Sequence, residues 1–387
     1  MHRTPRLTPL ILAALLVACA RPATPTTPPP PTPAAVVAPT VMATPSATPV
    51  SVPPTVRATE PTGVEVGTPV VDRPAIVGAY VTSYLPGAGE RPAGIAVLGA
   101  RAYVANQRTH NVSIIAADKV EGVVPVGASP GAIVADAASG HVFVLNRGES
   151  TISAIAGSEV VATWALPEPC SSLAVLGDRL WVGATQGGHI YLLSTGDGAR
   201  VGGTSLDTSS ALLAMAPSPD GATIYVASYN RTTALDVATL AEVARAELNS
   251  YDTLAVSGDG RRVYVNDYRA DAARSDLVAL DAATLEVVGR APLPPDPAGA
   301  LGDPSGERVY VASAHDNALL VLDAETLERR ARIPVGLAPR HLALDATSGR
   351  LFVANTLDDC VTVVDTATLA VTATSPLSAQ IDAMDVD

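Results

Sequence analysis

Lysine is almost missing from this chain. Among 387 residues the basic side chains are 24 arginines and one lysine, Lys119, against 38 Asp and Glu. The formal charge of −13, with no arginine-rich run beyond the N-terminal region, excludes the broad basic field that duplex nucleic acid or an anionic lipid surface selects. Aromatic residues make up only 4% of the sequence, and cysteine occurs at three positions, Cys19, Cys170 and Cys360. There is no Cys-x-x-Cys-His haem attachment, no paired-histidine or EF-hand spacing, no phosphate-cradling glycine loop and no Gly-x-Ser-x-Gly elbow. No catalytic residue and no cofactor is therefore expected. A divalent cation remains open only through the isolated pairs His315-Asp316 and Asp358-Asp359, which lack any established ligand spacing.

What is present begins with an export signal over residues 1–19. Arg3 and Arg6 precede an apolar stretch, residues 10–18, too short to cross a bilayer as a helix. It ends in Leu16-Val17-Ala18-Cys19, which resembles a bacterial lipobox. That resemblance implies a lipid on the Cys19 thiol and a membrane anchor after cleavage, facing the extracytoplasmic side. Residues 20–62 are dominated by Pro, Thr, Ala, Val and Ser, a composition that forms neither sheet nor helix. As a disordered stalk extending about 3.1 Å per residue, they would lift the following domain on the order of 100 Å.

Residues 63–387 carry a repeat. An aromatic residue followed by valine recurs as Tyr103-Val104, Phe143-Val144, Trp181-Val182, Tyr225-Val226, Tyr264-Val265, Tyr310-Val311 and Phe352-Val353, at gaps of 40, 38, 44, 39, 46 and 42. Short apolar runs at that period predict an all-β chain folded as a single β-propeller of four-stranded antiparallel blades. In the sixth repeat the four strands are expected at 298–301, 309–313, 319–323 and 330–335. Ser218-Pro219-Asp220-Gly221 and its counterparts suit the turn from first to second strand. The phrase Asp–x–x–x–Leu at 236–240, 281–285, 323–327 and 365–369 suits the turn from third to fourth. The motif aromatics are read as packing between blades, and Asn106, Asn146 and Asn355 as partners of loop backbone.

These phrases resemble the YVTN family of β-propeller repeat proteins over roughly residues 93–387, the third repeat being the most divergent. The resemblance implies seven blades, with each first strand lining a central channel, and implies no shared catalytic residue. Eight blades stay open, because spare strand candidates lie at 76–84 and 381–386. Cys170 and Cys360 fall in the third and seventh repeats, too far apart around a ring to bond, and are expected as free thiols.

Alternating strands put the stereotyped turns on one face and irregular loops on the other. Four of the five histidines beyond His2 fall on the irregular face, which is where binding groups concentrate. The candidate ligand-binding residues there are Tyr229, Asn230, Arg231, Tyr251, Asp252, Tyr268, Arg269, His315 and His341, with 267–276 read as a long loop. The tyrosines with their polar neighbours read either as a stacking and hydrogen-bonding surface or as ordinary loop residues packed on one another. The first reading makes the chain a monomeric, lipid-anchored binding module for a protein, glycan or cell-wall component, with the membrane met only through the anchor. The alternative is an extracytoplasmic propeller enzyme, a metal-dependent lactonase or hydrolase or a cofactor-dependent oxidoreductase, using Asp252, His341 and Asp136 near the channel.

Overall fold

A computed structural model describes residues 89–250, 253–269 and 274–377, all within one compact unit. Cys19, the stalk, the spare strand candidates at 76–84 and 381–386, Tyr251 and Asp252 lie outside the described residues. Every sheet is built from four consecutive antiparallel strands, giving blades 1 to 7 over residues 92–125, 130–165, 170–205, 212–246, 254–293, 297–334 and 339–376. Among the described residues there is no helix. The inner strands pack on one another in chain order, and that of blade 7, Pro339–Asp345, packs on that of blade 1, Pro92–Leu98. The cycle closes at seven, so the eight-blade alternative falls.

The repeat phrase explains the closure. Each motif aromatic is at most 2% exposed, and each sits in the seam between its own blade and the next. Seven apolar clusters fill seven seams: Tyr264 packs with Val309 and Leu320 of blade 6, and Phe352 with Ile95 of blade 1. Three tyrosines also tie the seam by hydrogen bonds. The hydroxyls of Tyr103, Tyr225 and Tyr264 donate to the carbonyls of Gly157, Ala282 and Ala324 in the following blade, at 3.0, 2.8 and 2.7 Å. Among the described residues no strand is exchanged across the 7–1 seam. There, Arg350 pairs with Asp118, and the Ser375 hydroxyl donates to the Asp118 carbonyl at 2.6 Å.

The Asp–x–x–x–Leu turns work as their chemistry suggests. The Asp236 carboxylate accepts from the Thr239 amide and hydroxyl, both at 2.7 Å, and Asp281, Asp323 and Asp365 repeat the pattern with Thr284, Thr326 and Thr368. The closing leucine adopts φ between +57° and +59° at all four positions, a region costly for a side chain with Cβ. Leu285 and Leu327 offset that cost by burying in the seam to the preceding blade.

Two expectations change. The described residues of 267–276 are ribbon rather than loop: the second strand of blade 5 runs Arg262–Arg269 and the third Arg274–Asp281, with Asp267 opposite Asp276 and Tyr268 opposite Ser275. The motif asparagines serve side chains rather than loop backbone. The Nδ2 groups of Asn106, Asn146 and Asn355 donate at 2.9 Å to the hydroxyls of Ser113, Ser153 and Thr362 seven residues on.

Candidate functional site: the channel mouth and its loop face

The entry of each inner strand follows from one local rule. Blades 1, 2 and 7 are entered through Gly-x-x-Pro, at Gly89, Gly127 and Gly336, where an added Cβ would come within 2.6–2.8 Å of the motif asparagine Nδ2. Only glycine allows that approach. The residue before the proline has positive φ at Arg91, Ser129, Asp296 and Ala338, which turns the chain down into the channel. Immediately afterwards the inner strand slips against the second strand by one residue in every blade except blade 5. Such a bulge takes its extra residue out of the ladder and re-aims the side chain. In blade 3 that residue is Ser171 and in blade 7 it is Arg340.

The bulges surround a cavity of about 430 Å³ at the channel mouth, on the irregular face. Its polar wall includes Arg91, Arg147, Arg340, His341, Gln107 and Ser171, and among the described residues no Asp or Glu lines it. Arg147 lies across Gly131, where a Cβ would meet its Nε at 2.8 Å, and donates to the Ser171 carbonyl at 2.7 Å. Arg340 donates to Asp296 at 2.9 Å, outside the lining. The Arg91 amide donates to Asp359 at 2.6 Å, and Arg91, an exposed residue, lines the cavity.

Of the candidate residues that the structure describes, His341 alone lines this cavity. Tyr229 and Tyr268 are exposed on the neighbouring blades 4 and 5, and the segment joining those blades bonds to both loops. The Leu248 amide donates to the Asn230 carbonyl, and the Tyr268 amide to the Asn249 carbonyl. Asn230 is exposed. Arg231 is largely buried and holds that segment, donating to Glu247 at 3.1 Å and to the Asp207 carbonyl at 3.0 Å. Arg269 ends the ribbon strand opposite Arg274. His315 pairs with Asp316 at 3.1 Å, and Asp316 in turn faces Arg332. Asp136 lies on the opposite face, where its carboxylate closes a turn by accepting from the Ala138 amide.

Sequence reasoning placed Arg147 and Arg340 on the irregular face without making them candidates, and passed over Arg91. Arg91 stands directly before Pro92, Arg147 directly after Asn146 and Arg340 directly after Pro339, so no common repeat position marks the three. Sequence reasoning also missed Glu168, which accepts from the Tyr191 hydroxyl and shares a hydrogen with His189 Nδ1 at 2.6 Å. Those bonds lower the Glu168 carboxyl from its usual range, while burial and then Glu168 push Tyr191 up to about 12. Beside them Cys170 is a buried free thiol raised to about 12, first by burial and then by the Glu168 charge, which makes it unreactive. Cys360 is also buried and free, so neither thiol of the propeller is paired. Among the described residues no cluster of three His, Cys, Asp or Glu has the geometry to hold a metal ion.

Protein-family models and curated proteins give no match to the sequence. Solved structures do. Hydrazine synthase from Kuenenia stuttgartiensis superposes at a TM-score of 0.64 and 20% identity, over 76% of this chain and 99% of that one. BamB from Moraxella catarrhalis does so at 0.52 and 19%, over 71% and 85%. A chain of a mitotic checkpoint complex does so at 0.60 and 14%, over 77% and 96%. The shared property is the fold. At these identities a β-propeller is common ground, and each neighbour's chemistry remains its own.

Proposed function

We propose that this protein is an extracytoplasmic, lipid-anchored member of the YVTN-type propellers that binds a protein, glycan or cell-wall partner through its irregular face. One observation carries the reading: the two faces differ in what they expose. Among the described residues the large exposed apolar side chains are valines on outer strands plus four residues of the irregular face, with none in the stereotyped turns. Those four are Tyr229, Tyr268, Leu337 and Leu357, at 49, 37, 47 and 72% exposure. Leu337 and Leu357 are adjacent, the Leu357 amide donating to the Leu337 carbonyl at 3.2 Å. Exposed tyrosines are anchors a partner surface uses, and an adjacent exposed apolar pair adds a patch of the kind that interaction sites carry.

The lipobox-like Cys19 and the Pro/Thr-rich segment 20–62 support the address and the reach. A Cys19→Ala variant is expected to leave the membrane fraction for the soluble one. Capture of a partner from native envelope by the full chain tests the face. Loss of capture in Leu337→Ser/Leu357→Ser or in Tyr229→Ala/Tyr268→Ala locates the site. Capture retained by both variants, each folded by circular dichroism, removes the irregular face from consideration.

A further inference from the structure

We propose that the channel mouth is a binding site for a small oxyanion, a di- or tricarboxylate or a phosphate, held by Arg91, Arg147 and Arg340. This goes beyond the partner-binding reading and does not require it, because the ligand enters the cavity rather than covering the loops. The charge distribution is the first support. A chain with 38 acidic and 25 basic residues places three arginines and a histidine around one cavity and, among the described residues, no carboxylate in its lining. Chance placement in an acidic protein runs the other way.

Geometry is the second support. The three arginines come from three consecutive blades, 7, 1 and 2, and so form an arc on one side of the mouth. On the other side the described lining is neutral, with Ser171, Ser172 and Met215 from blades 3 and 4. Each arginine is delivered by a specific backbone device: Arg91 by a positive φ before Pro92, Arg340 by the bulge of its strand, and Arg147 by the bare Cα of Gly131. Asp296 is half exposed and meets the Arg340 guanidinium from outside the cavity lining. Guanidinium forks match carboxylate and phosphate oxygens two at a time, and the low-dielectric walls of a cleft concentrate their field. A volume of about 430 Å³ suits a small molecule rather than a polymer segment.

Calorimetric titration of the full chain with citrate and with pyrophosphate, in a low-salt chloride buffer, tests the site. The expected result is one-to-one binding of at least one probe. Affinity should fall about tenfold or more in Arg91→Gln/Arg340→Gln, the loss of charge-assisted hydrogen bonds, while the melting temperature stays near wild type. Arg147 is left intact because it packs on Gly131 and bonds to Ser171. Should the double variant fail to fold, Arg91→Glu alone serves, since that side chain is exposed. Citrate binding without pyrophosphate assigns a carboxylate ligand, and the reverse assigns a phosphate. Binding of neither probe to wild type, or equal binding to a folded variant, overturns the proposal.

Discussion

Tyr264 shows how much one position of the repeat does. Its ring is fully buried in the seam between blades 5 and 6, and its hydroxyl donates to the Ala324 carbonyl at 2.7 Å. Burial lifts that phenol to about 12. Arg262 donates to the same carbonyl at 3.2 Å, so Tyr264→Phe leaves the acceptor served and should cost only about 0.5–1.5 kcal/mol. Tyr264→Ala also opens a cavity in the seam and should cost about 3–5 kcal/mol. Urea denaturation of the two variants separates the bond from the packing; equal losses would mean the hydroxyl contributes nothing. Leu327 adds a second test. It holds φ +59° while burying its side chain against blade 5. Alanine there loses the packing and keeps the backbone cost, whereas glycine loses the packing and relieves it. Leu327→Gly should therefore be less destabilising than Leu327→Ala by about 1 kcal/mol, the reverse of the usual order. Melting curves giving the usual order would show that φ at 327 carries no strain.

At the scale of strands, the blade 5 ribbon is the one element that leaves the common pattern. Its second and third strands have eight residues each, where every other blade has six. The extra length buries Asp267 and Asp276 opposite each other, with Arg290 of the outer strand 2.7 Å from one and 4.0 Å from the other. Arg290→Ala would leave the buried Asp267 and Asp276 facing each other, with only Arg274, 3.4 Å from Asp276, as a cation beside them among the described residues. Because Arg290 is one-third exposed, the cost should be about 1–3 kcal/mol rather than the full penalty of a dry ion pair. Adding Asp276→Asn should recover part of the loss, and an additive double-mutant cycle by chemical denaturation would deny the coupling. The ribbon also marks where the sequence stopped being legible. Strand positions in the sixth repeat come within one residue of those observed, at Pro297–Gly302, Arg308–Ser313, Ala318–Asp323 and Arg329–Pro334, because aromatic, turn aspartate and glycine recur in phase. Residues 267–276 contain no glycine or proline to mark a turn, and their alternation is of charges rather than apolar groups, so they read as loop. The arginine arc was hidden differently. Arg91, Arg147 and Arg340 hold three unrelated positions within the repeat, and only the bulges and the ring bring them to one mouth.

Across the whole molecule, the two faces differ in electrostatics as well as in shape. Asp197, Asp220, Asp236, Asp259, Asp281, Asp323 and Asp365 all have carboxyls lowered from 3.8, and all sit in turns of the stereotyped face. The leading cause is a hydroxyl donor at Asp197, Asp220, Asp236 and Asp259, and a backbone amide at Asp281, Asp323 and Asp365. A carboxyl whose folded value lies below its unfolded one stabilises the fold at pH above the unfolded value and loses that contribution as pH falls through the folded one. The turns therefore hold fully above about pH 5 and weaken together below about pH 4. Each of these groups is well solvated, so each contribution is small, and the effect rests on these seven and Asp345, also lowered, acting in the same direction. The melting temperature should be flat from pH 7 to about 5 and then drop. Replacing Asp236, Asp281 and Asp365 with Asn should lower the neutral plateau and shrink that drop, since the variant has less linked stability to lose. Wild type and triple variant losing stability in parallel below pH 4 would move the acid sensitivity away from the turns, to the carboxylates of the ring seams such as Asp118 beside Arg350.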